Sequence, residues 1–209
     1  SMCDFPSSLH PRTRIFEKIW NSFVRVRLPF KGTLDARHWE IQAIGDPHGP
    51  DNYVEFPEGS HIFIDEIMRH ISGPNAPILD LGCNVGRNLN ALYKRGCTNL
   101  YGVDIQTAAL EHMPKVFSEL AAVAHIKHGT FQDYLPSIAD GFFEVVFTIG
   151  ATIELVPPSF PICQQMARTA SRAVILVIGE SGHAYPRLWE SEFLRAGFLL
   201  TKLLRPMAP

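Results

Sequence analysis

Apolar positions along the chain follow two different rhythms. Over residues 14–26 they pair as Ile15/Phe16, Ile19/Trp20 and Phe23/Val24, and that step of four predicts a helix. Pro29, Gly32, Gly45, Pro47, Gly49, Pro50, Pro57 and Gly59 then punctuate an irregular stretch. Because that stretch carries Trp39, Tyr53 and Phe56, it is expected to fold over something as a cover. Ser60 is placed to cap a helix reaching residue 71, with Ile64, Ile67, Met68 and Ile71 on its buried face and Gly73-Pro74 ending it.

From there, short apolar runs alternate with helical patterns. Strands are expected at residues 77–81, 99–104, 122–127, 143–149, 173–178 and 198–204. Helices are expected between them at 88–95, 107–117, 159–171 and 186–196. Repeated strand-helix-strand units require parallel strands joined by right-handed crossovers. Apolar runs that do not alternate with polar residues mean that helices cover both sheet faces. The expected fold is therefore α/β, a doubly wound, mostly parallel sheet. Residues 1–59 form an N-terminal helical and irregular cover, and residues 60–209 form the domain itself. Such sheets bind ligands beyond the carboxyl ends of their strands, where strand order reverses.

Composition narrows the choice of partner. The chain has 209 residues, of which 46% are hydrophobic and 19% charged, so it can bury one well-packed core. A net charge of −2 does not suit a general nucleic-acid binder, and no nucleic-acid partner is expected. No apolar run is long enough to span a bilayer, and the first residues lack a signal-peptide pattern. Cys3, Cys83, Cys97 and Cys163 form no metal-ligand spacing and read as free thiols. A cytoplasmic protein with no metal and no membrane partner is the expectation.

The chemistry centres on Ile78-Leu79-Asp80-Leu81-Gly82-Cys83-Asn84-Val85-Gly86-Arg87-Asn88, the turn between the first strand and its helix. Glycines there allow a sharp turn and close approach of a ligand. A dinucleotide fingerprint counted from Gly82 needs glycine at 84 and 87, but Asn84 and Arg87 stand there. Asp104 ends the second strand, 22 residues after Gly82, where an acid accepts hydrogen bonds from ribose hydroxyls. A lone Asp at a strand end also serves commonly as a helix cap.

The segment Asp80-x-Gly82-x-Asn84-x-Gly86 resembles motif I of the class I S-adenosylmethionine-dependent methyltransferases, acidic-x-Gly-x-Gly-x-Gly, with asparagine in place of the middle glycine. Asparagine enters left-handed backbone conformations more easily than most residues. The Thr130-Phe131-Gln132-Asp133 stretch is similar to the family segment that meets the adenine ring. Phe143-Glu144-x-Val-x-x-x-Gly150-Ala151-Thr152-Ile153-Glu154-Leu155-Val156-Pro157 resembles the family's motif IV, with Glu144 where Asp is usual and Glu154 where many small-molecule members carry His. The likeness spans residues 60–204 and implies a Rossmann-like fold; family members usually finish with an antiparallel strand pair, whereas here only Arg205-Pro206-Met207-Ala208-Pro209 follow the strand expected at 198–204.

The resemblance implies S-adenosylmethionine as cofactor and S-adenosylhomocysteine as product. It also implies a cofactor site of Asp80, Gly82, Cys83, Asn84, Gly86, Asn88, Asp104, Ile105, Thr130, Phe131 and Thr148. Glu154 is the first candidate base, beside the transferable methyl, or else a surface carboxylate starting a loop; His183, in the loop after the fifth strand, is a secondary catalytic-site candidate for substrate contact. A small-molecule acceptor, methylated on O or N by a monomer or homodimer, is the leading expectation. The rivals are a regulatory protein that binds the cofactor without methyl transfer, a protein or RNA methyltransferase, and, more distantly, a dehydrogenase.

Overall fold

The computed structural model describes residues 36–57, 60–150, 153–178, 185 and 187–203. Its sheet is built from β1 (Ile78–Leu81), β2 (Leu100–Asp104), β3 (His125–His128), β4 (Phe143–Ile149) and β5 (Ala170–Val177). All neighbouring pairs are parallel, in the order β3-β2-β1-β4-β5. The chain starts in the middle, winds outward to β3, then returns across β1 to lay down β4 and β5. Strand order therefore reverses between β1 and β4, and the crevice for a ligand opens at their carboxyl ends.

Eight α-helices flank the sheet among the described residues: α1 (Ala36–Glu40), α2 (His61–His70), α3 (Arg87–Tyr93), α4 (Thr107–Val116), α5 (Ser118–Val123), α6 (Phe131–Tyr134), α7 (Ile162–Thr169) and α8 (Trp189–Arg195). Side chains alternate across each strand, so one strand feeds two cores. Ile78, Val145 and Phe147 join Ile64 and Ile67 of α2 and Leu89 and Leu92 of α3 on one face. Leu79, Leu81 and Val146 join Ile162 and Met166 of α7 and Trp189 and Phe193 of α8 on the other. Phe143 and Phe147 are fully buried on opposite faces, because the register shifts between Phe143 and Val145. Truncating either ring to Ala costs about 3–5 kcal/mol.

Four expected elements differ. The third strand is displaced to His125–His128, because residues 118–123 coil into α5 and bury Leu120 instead. Helix α7 is shorter than expected: Pro161 precedes it and Ala170 already pairs in β5. Helix α8 starts at Trp189 and not near Pro186. Residues 198–203 form no strand, although their composition suits one; Leu199, Leu200 and Leu203 are exposed, and Lys202 Nζ reaches Glu66 Oε2 at 2.5 Å. A strand needs another strand to pair with, and that segment pairs with none among the described residues. Ser60 does precede α2, but its side chain makes no capping bond. The expected helix at 14–26 lies outside the described residues.

The end of the sheet away from the crevice is fastened by Glu144. Its carboxylate accepts hydrogen bonds from Ser72 N at 2.6 Å and Ser72 Oγ at 2.5 Å, joining β4 to the chain leaving α2. Those bonds, with Arg172 nearby, hold the Glu144 carboxyl below its ordinary range. A depressed carboxyl stabilises the fold above the unfolded pKa, and that contribution fades as pH falls through the folded value. Glu144→Gln is expected to lower unfolding free energy by about 1–2 kcal/mol at neutral pH. In urea melts the gap to the wild type should narrow below about pH 4; a gap that does not change with pH contradicts this role.

Candidate functional site

The site is assembled around the turn that leaves β1. Gly82 and Gly86 have φ of 79° and 84°, and Asn84, at φ 48°, is the one non-glycine with positive φ among the described residues. Asparagine thus fills the place of the missing middle glycine by adopting the conformation that glycine would. Its side chain adds what glycine lacks. Asn84 Oδ1 accepts from Val85 N at 2.8 Å, and Asn84 Nδ2 donates to Gln106 Oε1 at 2.8 Å.

Asp104 braces the same turn from the end of β2. One carboxylate oxygen accepts from Asn84 N at 2.7 Å and the other from Gln106 N at 2.8 Å. Burial pushes the Asp104 carboxyl upward, while the backbone hydrogen bonds from Gln106, Asn84 and Ile105 oppose the rise. Each oxygen keeps lone-pair capacity for a further donor, as a ribose hydroxyl requires.

Asp80 is different. It is 0% exposed, and neither carboxylate oxygen has a partner that meets hydrogen-bond geometry. Burial, then repulsion from Asp104, pushes its carboxyl up to about 8, with the Asn88 amide and the Arg87 guanidinium pulling the other way. A buried polar group left without partners is costly.

Other expected cofactor residues divide by what their side chains do. Asn88 is buried in the first turn of α3. The Cys83 side chain lies in the core, and a Cβ added at Gly102 would meet Cys83 Sγ at 2.7 Å. Only its backbone faces the turn. At Gly86 a Cβ would meet Met113 Cε at 2.9 Å and Leu120 Cδ2 at 3.0 Å. That glycine lets α3 seat against α4 and α5. Thr148 is fully buried, with Oγ1 donating to Leu81 O at 2.8 Å, so it locks the end of β4 to the end of β1. Thr130 Oγ1 caps α6, accepting from Asp133 N at 3.1 Å and donating to Asp133 Oδ2 at 2.7 Å. Phe131 is half-buried against the core, and Ile105 O lies 3.0 Å from His128 Nε2.

Glu154 sits in the 3-10 turn Ile153–Leu155 after β4 and is 1% exposed, which removes the reading of a surface carboxylate. Its carbonyl accepts from Tyr185 N at 3.0 Å, bringing the chain after β5 to the same place. Arg187 Nη2 donates to the next turn's Val156 O at 2.7 Å, and Nη1 lies 3.3 Å from Glu192 Oε2. His183 falls outside the described residues.

Residues 36–57 close over the turn. Gln106 Nε2 donates to Gln42 O at 3.3 Å, Arg87 Nη1 donates to Glu55 O at 3.2 Å, and the Arg87 guanidinium stands 5.5 Å from the Tyr53 ring centroid. Gln42, Gln106 and Tyr53 had no motif to reveal them. Arg87 breaks the dinucleotide fingerprint, and nothing in the motif points to its contacts with Glu55 and Tyr53. Among the described residues no group of His, Cys, Asp and Glu could hold a metal ion, and no helix is long and apolar enough to cross a membrane.

A family model described as a methyltransferase domain matches residues 78–173, a little under half of the chain. Over that span the chain is similar to a methyltransferase domain. Its matched span runs from the start of β1 into β5 and so includes the turn, Asp104 and Glu154. No curated protein matches the sequence.

Solved structures share the domain's Rossmann-like fold. A phosphoethanolamine N-methyltransferase 2 from Haemonchus contortus, in complex with S-adenosyl-L-methionine, is 17% identical with a TM-score of 0.60, covering 80% of this chain and 45% of that one. A candidate sarcosine dimethylglycine methyltransferase from Galdieria sulphuraria is 15% identical with a TM-score of 0.56, covering 68% and 61%. A TehB-like SAM-dependent methyltransferase from Corynebacterium glutamicum is 15% identical with a TM-score of 0.51, covering 88% and 82%. The chain thus spans less than two thirds of the first two.

Asn84→Gly keeps the turn conformation but removes the link to Gln106. Amides in residues 36–57 should then exchange with deuterium severalfold faster, while the sheet amides keep their rates. Asn84→Ala should also lose about 1–2 kcal/mol of stability through backbone strain. Unchanged exchange in residues 36–57 for both variants contradicts the coupling of cover and turn.

Proposed function

We propose that the chain is a cytoplasmic S-adenosylmethionine-dependent methyltransferase that methylates a small molecule on oxygen or nitrogen, as a monomer or homodimer. The observation that carries the reading is the pair of buried acids, Asp80 and Asp104, framing the glycine turn at the β1/β4 crevice. Two carboxyls suit a ligand with a cationic amino-acid end and a ribose. They would repel a pyrophosphate, which disfavours a dinucleotide. The unpartnered oxygens of Asp80 fit an ammonium group, and the lone pairs left on Asp104 fit ribose hydroxyls.

Residues in this chain would divide the work as follows. Asp80 orients the amino-acid end and Asp104 the ribose. The backbone of Gly82, Cys83 and Asn84 forms the wall, and Phe131 flanks the adenine. When bound, S-adenosylmethionine supplies an electrophilic methyl on sulfonium, and S-adenosylhomocysteine remains. Glu154 accepts the proton of the acceptor hydroxyl or amine as its lone pair forms the new bond to carbon. Residues 36–57 exclude water and position the acceptor in line. Small-molecule methylation is supported by the acceptors named for the Haemonchus and Galdieria proteins. The net charge of −2 disfavours an RNA acceptor.

A second reading, binding without methyl transfer, is favoured by Glu154 standing where many small-molecule members carry His. Calorimetric titration with S-adenosylmethionine and S-adenosylhomocysteine should show one site, with at least a tenfold loss of affinity in Asp104→Ala and no response to NAD. Glu154→Gln should leave that binding intact and lower turnover about 10²–10⁴-fold once an acceptor is found in a radiolabelled-methyl screen of metabolite fractions. Binding with no labelled product in any fraction supports the second reading. Binding of NAD alone overturns both.

A further inference from the structure

An acid that is fully buried, without a hydrogen bond to either oxygen, cannot hold a negative charge cheaply. Asp80 is in that position on β1. Of the groups facing it, only the Asn88 amide and the Arg87 guanidinium relieve it, and they do not offset burial and Asp104. Asp104 on β2 is a second carboxyl and raises it further. Asp104 itself keeps two short backbone N–H bonds, at 2.7 and 2.8 Å, so it is the better anion of the two. Cys83 in the turn contributes a buried thiol that both acids push toward its neutral form. Arg87 on α3 is drawn toward Glu55 O and the Tyr53 ring, and burial lowers its own affinity for the proton. Asn88 favours the carboxylate with a neutral amide, without a hydrogen bond of good geometry to either oxygen. Of the two acids, Asp104 is therefore the one better able to carry the negative charge.

We propose that Asp80 is protonated in the empty site and releases its proton to solvent when the ammonium group of the ligand docks against it, so that capture is coupled to pH. This rests on the cofactor reading given above and adds the proton to it. The balance is simple. Before binding, the site holds Asp80–COOH and the ligand carries –NH₃⁺. Afterwards the pair is carboxylate and ammonium, and one proton is in the buffer.

The sign follows from that balance. Release of one proton makes affinity rise about tenfold per pH unit while Asp80 is protonated in the free protein. The slope should flatten on approaching about pH 8, the value to which burial and Asp104 push the carboxyl. Between pH 5.5 and 7 the ligand's own amino group stays charged, so it adds no slope there.

The test is calorimetry with S-adenosylhomocysteine at pH 6.5 in three buffers of different ionisation enthalpy. The wild type should release close to one proton per ligand and bind about thirtyfold more tightly at pH 7 than at pH 5.5. Asp80→Asn is isosteric with the neutral acid and should fold with an unchanged melting temperature, bind with no proton release, and lose the pH slope. The analogue of S-adenosylhomocysteine that lacks the amino group should release no proton from the wild type. Binding of S-adenosylhomocysteine without proton release overturns the coupling and leaves the cofactor reading standing. Proton release that persists in Asp80→Asn assigns the proton elsewhere and overturns it too. No binding by the wild type at any pH overturns the cofactor reading, and the coupling with it.

Discussion

One carboxylate holds the functional end of this protein in shape. Asp104 reaches from the end of β2 to the backbone N–H of Asn84 and turns back to the N–H of Gln106. Two loops that follow different strands are thereby fixed to each other. The glycine turn can then keep its three positive-φ residues, Gly82, Asn84 and Gly86, without a regular element to support them. The bond from Thr148 Oγ1 to Leu81 O fastens the β4 side of the same crevice. The sheet order places these ends at one mouth, and the hydrogen bonds set the mouth's shape.

The electrostatics of that mouth separate it from a phosphate cradle. Phosphate-binding turns offer free N–H groups to an anion. Here the N–H of Asn84 is already taken by Asp104, and a second acid, Asp80, lies behind the turn. A site that has consumed its donors and kept its acceptors prefers hydroxyls and cations. That preference matches an amino-acid nucleoside better than a dinucleotide, independently of the family match.

Much of this was legible in the sequence. The parallel sheet followed from apolar runs such as 143–149 that lack alternation, and the left-handed turn at Asn84 followed from what asparagine tolerates. What escaped was long-range. Nothing local tells that Gln106 bridges Asn84 to Gln42, because the three residues meet only after the sheet is assembled. Nor did motif likeness reveal the packing that the turn residues provide. Cys83 fills space under Gly102, and Gly86 makes room for Met113. Local pattern also misread residues 198–203 as a strand, since an apolar run pairs only where an edge is offered to it. Glu154 was ambiguous between surface and site until its burial was seen.

The central claim is that the two acids, Asp80 and Asp104, receive opposite ends of one nucleoside ligand. A crystal structure of the protein with S-adenosylhomocysteine tests it most directly. The account predicts the ligand's amino group within hydrogen-bond distance of Asp80 and its ribose hydroxyls on Asp104, with the Asp104–Asn84 bond kept. A ligand seated away from the β1/β4 crevice, or one that leaves both Asp80 oxygens without a partner, contradicts it.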